Sequence, residues 1–284
     1  MKNIKKGFLF VIMFSMAVFA YSQEYNPESD FAVQRTSDGN AVIITGYGGT
    51  SLTVNIPPVI RGLPVTQIGN NAFREKRLTS VIIPDSITTI GENAFYKNQL
   101  TNVIVPNSVT TIGSSVFYDN QLTSVTIPNS VTSIGARAFY NNQLTSVTIP
   151  NSVTSIGEGA FSLNQLTSVI IPDSLTTIEK QVFYGNCLIS VTIPNSVTTI
   201  RDQAFQSGLF QQNQLTSIII PNSVTSIGSY AFDGNPLTRI TISSNVDICY
   251  SGFCFSLSFD NFYRGLSRRG GTYILTGGTW GEDW

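Results

Sequence analysis

A β-rich solenoid of stacked coils, closed at both ends, is the fold this sequence predicts, and three observations predict it. One unit of about 22 residues is written over and over along the chain. Each unit holds a short β-branched stretch whose apolar residues alternate at period two. The return path of the unit carries no stripe of 3.6-residue period long enough for an α-helix.

The first element is an address. Lys2, Lys5 and Lys6 precede the apolar run from Phe8 to Ala20, which ends at Ala20-Tyr21-Ser22 before the polar stretch from Gln23. That run is too short for a spanning helix, which needs roughly 20 residues, so residues 1–22 are expected to be a signal peptide cleaved after Ser22. Removing the three lysines leaves 13 basic against 17 acidic groups, a mildly acidic exported chain with no membrane span. It is expected to be secreted, on the cell surface or periplasmic.

The repeat array is expected over residues 52–248, in about nine coils. Its leading leucines stand at Leu52, Leu78, Leu100, Leu122, Leu144, Leu166, Leu188, Leu215 and Leu237, and six of these intervals are 22 residues. In the unit from Leu122, Val125 and Ile127 point inward from a strand that Pro128 ends, because proline has no N–H for a ladder. The return path from Val131 to Gly135 is also β-branched, which predicts extended or 3₁₀ structure opposite the strands with at most one helical turn near Ala138-Phe139. Phe73, Phe95, Phe117, Phe139, Phe161, Phe183, Phe205 and Phe232 recur at one position and are expected to stack. Asn98, Asn120, Asn142, Asn164, Asn186, Asn213 and Asn235 form a second column. A buried amide is costly unless paired, so these are expected to bond turn backbone and each other. No coil buries its own apolar face, so both ends need closing.

The phrase Leu-x-x-Val-x-Ile-Pro-Asn-Ser-Val-Thr-Ser-Ile-Gly-x-x-Ala-Phe, from Leu52 to about Ile248, resembles the BspA-like leucine-rich repeat family of bacterial surface and secreted proteins. Asn142 stands where many members carry cysteine. The resemblance implies a horseshoe-shaped leucine-rich repeat solenoid with a parallel concave sheet and an irregular or 3₁₀ convex side. It also implies adhesion to host matrix proteins, other cells or immune receptors, and names no ligand. Residues 23–51 then form an N-terminal cap, the stretch from Phe31 being similar to the hairpin-like segment that often opens such arrays.

Residues 249–284 are expected to form a C-terminal cap, with a strand at Tyr273-Ile274-Leu275 and a turn at Gly277-Gly278. The alternative is a ligand-binding tail built on Trp280 and Trp284. Arg264, Arg268 and Arg269 read as a solvated loop. Cys249 and Cys254 are close enough in an exported chain to permit a local disulfide, while Cys187 replaces the Gln of other coils.

Composition narrows the function. The 284 residues include no histidine and only 12% charged side chains. Histidine-dependent nucleophile triads and histidine-ligated metal sites are therefore ruled out. No cofactor is expected. A formal charge of −1 gives no basic field for nucleic acid. Asp85 and Asp173 sit four coils apart, too far to act as the paired carboxylates of a glycosidase, so an enzyme is the weakest reading.

The candidate site is instead the outward face of the strands: Ser80 and Ile82, Asn102 and Ile104, Ser124 and Thr126, Ser146 and Thr148, Ser168 and Ile170, Ser190 and Thr192, Ser217 and Ile219. Stacked at strand spacing, these make a neutral concave strip roughly 40 Å long, of the kind solenoids use for binding. The expected partner is a protein or glycan at the cell surface or in host matrix. The alternative is a self-associating structural surface protein; the sequence fixes no oligomeric state. Ordered-water binding by the Ser/Thr rows is disfavoured because isoleucine interrupts them. The insertion Ser207-Gly208-Leu209-Phe210-Gln211 is a second place for a surface contact.

Overall fold

The computed structural model describes residues 24–209, 212–248, 254–266, 268–276 and 278–283. The expected signal peptide and Cys249, with its pairing to Cys254, lie outside the described residues, as do Phe210-Gln211, Gly277 and Trp284. The chain is a β-solenoid whose coils each contribute two rows, and the described residues include a single α-helix, Leu257–Gly265. No helix among them is long and apolar enough to cross a membrane.

The expected strand row exists, and it is laddered in pieces. Thr53–Asn55 pairs with Ser80–Ile82, Asn102–Ile104 with Ser124–Thr126, and Ser217–Ile219 with Arg239–Ile242, all parallel. Between them a lone bridge joins Ile170 to Thr192. The return side is extended, as one of the two expected alternatives had it, and it carries the longer sheet. Phe31–Arg35, Val42–Tyr47, Leu63–Ile68, Thr89–Ile90, Thr111–Ile112, Ser133–Ile134 and Ser155–Ile156 run in that order, the first pair antiparallel and the rest parallel. Thr177–Ile178, Thr199–Ile200, Ser226–Ile227 and Asp247–Ile248 continue the row as a second sheet.

The reason is a glycine just after most of these two-residue strands, at Gly91, Gly113, Gly135, Gly157 and Gly228. A Cβ added at Gly135 would stand 2.6 Å from the Gly113 carbonyl carbon, and one at Gly157 would strike the Ala136 backbone. Without those Cβ atoms the coils nestle, and Gly135 and Gly157 each donate at 2.8 Å to the isoleucine carbonyl of the coil before. The other row has no glycine at its strand positions.

The core is one column-built cluster of leucine, valine, isoleucine, alanine and phenylalanine. The Phe rings from Phe73 to Phe232 stack at 5.1–6.0 Å. The column runs past the repeats at both ends, onto Tyr47 at 5.6 Å and Phe255 at 5.1 Å. The asparagine column is buried from Asn98 to Asn213, half-buried at Asn235, and bonds the main chain of two coils at once: Asn98 Nδ2 donates to the carbonyls of Phe73 and Phe95 while its Oδ1 accepts from the Leu78 N–H.

The ends close differently. Glu24 to Asn26 lies against the first strand, where Asn26 N–H donates to the Asn55 carbonyl at 3.0 Å and Asn55 N–H to Asn26 Oδ1 at 2.7 Å. At the other end Gly271–Thr276 pairs antiparallel with Arg239–Ile242 and turns back into Thr279–Glu282. The helix Leu257–Gly265 packs beneath, with Phe259 against Tyr273 and Trp280.

Candidate binding surfaces

The strip residues fall on one face, as alternation along a strand requires. Ser80 is half-buried and the other thirteen are exposed. Where strands pair, neighbours stand in register: Ser124 beside Asn102, Thr126 beside Ile104. Val81, Val103 and Ile218 between them point into the core.

Isoleucine, not the hydroxyl rows, is what makes this face unusual. Ile104, Ile170 and Ile219 are 70%, 82% and 69% exposed. An exposed large aliphatic side chain gains nothing for the fold, and three of them share one row. Two depressions flank Ile170 and Ile219. The larger, of about 680 Å³, is lined by Asn151, Ile170, Asp173, Thr192, Pro194 and Asn195. The smaller, of about 270 Å³, is lined by Ser190, Thr192, Ser217, Ile219 and Pro221 among others. Both sit where, among the described residues, the ladder of this row is absent or reduced to one bridge.

Other candidates resolve otherwise. Trp280 is buried against Phe259 at 4.9 Å, a packing residue of the cap, which leaves the tail reading without its described tryptophan. Arg268 pairs with Asp247 at 2.9 Å. Cys254 is buried, its Sγ 3.4 Å from the Ile227 carbonyl, and Cys187 is half-buried. Leu209 in the insertion is exposed, while its Ser207 anchors back to the Asn213 and Gly234 carbonyls at 2.9 Å.

Two surface features have no counterpart in the sequence reading. Ile189 stands exposed in a row that is otherwise threonine. Tyr96, Tyr118 and Tyr140 stack on the turn side at 4.9 and 4.8 Å, a half-exposed ladder parallel to the buried Phe column. The signal was present one residue after each Phe, but tyrosine holds that place in only some coils. Burial and the neighbouring phenols push the Tyr118 hydroxyl above its ordinary pKa.

Fold and surface together define a nearly all-β repeat scaffold that presents rows of side chains. Six copies of the BspA type leucine rich repeat region match residues 66–187 and 206–263, and the chain belongs to that family. Among solved structures it is similar to the T. pallidum leucine rich repeat protein TpLRR, at 30% identity and a TM-score of 0.59, over 63% of this chain and 86% of that one. It is also similar to a leucine-rich repeat protein from Bacteroides ovatus, at 29% identity and a TM-score of 0.62, over 78% of this chain and 66% of that one. No curated protein matches the chain.

Proposed function

We propose that this is an exported, non-enzymatic binding protein that recognises a protein or glycan at the cell surface or in host matrix through the strip from Ser80 to Ile219. The observation that carries the proposal is the single row of exposed Ile104, Ile170 and Ile219 beside two depressions. Apolar anchors in a neutral surround are what an interface core requires. Family membership supports a binding role for the repeats.

Self-association of the array into a fibre is disfavoured by both ends. Residues 24–26 cover the first strand, and the hairpin at the other end runs antiparallel to the row. Among the described residues, neither end of this row offers a second copy an open parallel edge.

The experiment is a pull-down with the purified protein against matrix proteins and surface glycans, repeated with Ser124, Thr126, Ser146 and Thr148 changed to lysine and, separately, with Ile104 and Ile170 changed to lysine. Binding is expected to fall at least tenfold in either variant, with circular dichroism unchanged. Capture that survives both variants rejects the strip.

A further inference from the structure

In the first full coil the chain abandons its repeat. The next three coils write Tyr-x-Asn-Gln after the Phe, as at Tyr96 to Gln99 and Tyr118 to Gln121, whereas the coil from Phe73 writes Arg74-Glu75-Lys76-Arg77. All four side chains are exposed. Arg74 takes the tyrosine place and lies over the Tyr96 ring, its guanidinium carbon 4.8 Å from the centroid, so it caps the open face of the tyrosine ladder. The Lys97 ammonium approaches the same ring at 5.5 Å. Main-chain bonds hold the two turns together: Glu75 N–H donates to the Tyr96 carbonyl at 2.9 Å, and Lys76 N–H to Asn98 Oδ1 at 3.1 Å. Arg74, Lys76, Arg77 and Lys97 thus share one patch on two stacked coils.

The pairing of cations along the array separates this patch from ordinary surface charge. Arg137 and Lys180 pair with Glu158, Arg201 with Glu179, and Arg239 with Asp283. Within the patch Glu75 is taken by Arg74 at 3.3 Å, and among the described residues Lys76, Arg77 and Lys97 have no carboxylate partner. An otherwise acidic chain therefore concentrates uncompensated positive charge at one end, beside a ladder of phenol edges and hydroxyls. No large aliphatic side chain is exposed between Phe73 and Gln99 apart from Ile82, which belongs to the strip. Charge complementarity and flat ring faces therefore carry recognition at this patch, which suits a strongly hydrated polyanion.

We propose that this patch is a second binding surface, for an acidic polysaccharide, whose sulfate or carboxylate groups are held by Lys76, Arg77 and Lys97 while its sugars lie along the Tyr96–Tyr118–Tyr140 ladder. Ion pairs to a polyanion release counterions, so the affinity is steeply salt-dependent. The surface is independent of the strip.

The test is retention of the purified protein on immobilised heparin at low salt, with free heparin and polyglutamate as soluble competitors. The triple variant Lys76→Gln, Arg77→Asn, Lys97→Asn keeps the fold, because the residues are exposed and asparagine accepts the positive φ of 59° and 52° at positions 77 and 97. Expected are retention of the wild type, loss of at least tenfold affinity and a salt slope shallower by about 2 in the triple variant, and no loss on changing Arg137 and Lys180 to glutamine. The proposal is overturned by a wild type that does not bind heparin, by a triple variant that binds as well, or by polyglutamate competing as strongly as free heparin at equal charge.

Discussion

Asn142 shows how a polar side chain can hold a column together. Its Oδ1 accepts from the Leu122 N–H at 3.0 Å, and its Nδ2 donates to the carbonyls of Phe117 at 2.8 Å and Phe139 at 3.1 Å. The side chain is buried, so alanine there leaves these main-chain groups without partners and without water. Asn142→Ala is expected to cost about 3 kcal/mol, read as a lower urea midpoint at unchanged slope. The exposed Asn129→Ala is expected to stay within about 0.5 kcal/mol. Equal midpoints for the two would show that the column does not hold the coils. The column itself was legible, since asparagine recurs at a fixed place, but the geometry that aims its partners was not. That geometry comes from two left-handed residues per turn, such as Asn93 and Lys97, Ser115 and Asp119, Arg137 and Asn141. The same places hold Gly159 and Leu163 in the next coil, so no residue type marks them.

The helix Leu257–Gly265 closes the array through Asp260. Ser256 caps the helix by accepting from the Phe259 N–H at 3.2 Å, and the buried Asp260 carboxylate accepts from the N–H groups of Cys254 and Phe255. It thereby seats Phe255, the last ring of the spine. Burial pushes the Asp260 pKa up to about 6 from 3.8, against the lowering effect of those bonds and of the Arg264 charge. A raised carboxyl pKa means that the native state holds the proton more tightly than the unfolded chain. The contribution of this group is therefore greatest below pH 4 and declines as pH rises towards 6, by about 3 kcal/mol. Asp260→Asn is expected to remove that decline, so that the stability difference between variant and wild type changes between pH 4 and 6 and is flat above 7. A difference independent of pH over that window would refute it. The cap strand was readable at Tyr273 to Leu275 and lies within Gly271–Thr276. The helix was missed although Phe259, Phe262, Tyr263 and Leu266 keep helical spacing, because nine residues give a stripe too short to stand out among so many aromatics and glycines.

A solenoid is as strong as its weakest junction, because each coil touches only its neighbours. That junction is marked three times between the coils of Leu144 and Leu166. Among the described residues the return-side ladder does not join Ser155–Ile156 to Thr177–Ile178. The Phe161 and Phe183 rings stand 6.0 Å apart, the widest step of the repeat column. Glu179 replaces the glycine that lets earlier coils nestle. Arg201, the next non-glycine at this place, keeps its bond to the Ile178 carbonyl at 2.9 Å and pairs with Glu179 at 3.0 Å, so two like coils fit each other and the mismatch lies at the first of them. The repeat period made the stack legible, yet its uneven strength follows from which junctions carry the glycine that lets backbones approach across a coil, and the period alone does not show that approach. Glu179→Gly is expected to restore the ladder and stabilise the array by about 1 kcal/mol, two hydrogen bonds gained against one exposed ion pair lost. In native-state hydrogen exchange the amides on either side of the junction are then expected to open together, whereas in the wild type the two blocks open at different free energies. Gly135→Ala, which forces a Cβ into a closed junction, is expected to cost about 2 kcal/mol or more and to create a second boundary there. If exchange in the wild type is already uniform across the junction, or Gly135→Ala is tolerated without loss, close approach at these glycines is not what couples one coil to the next.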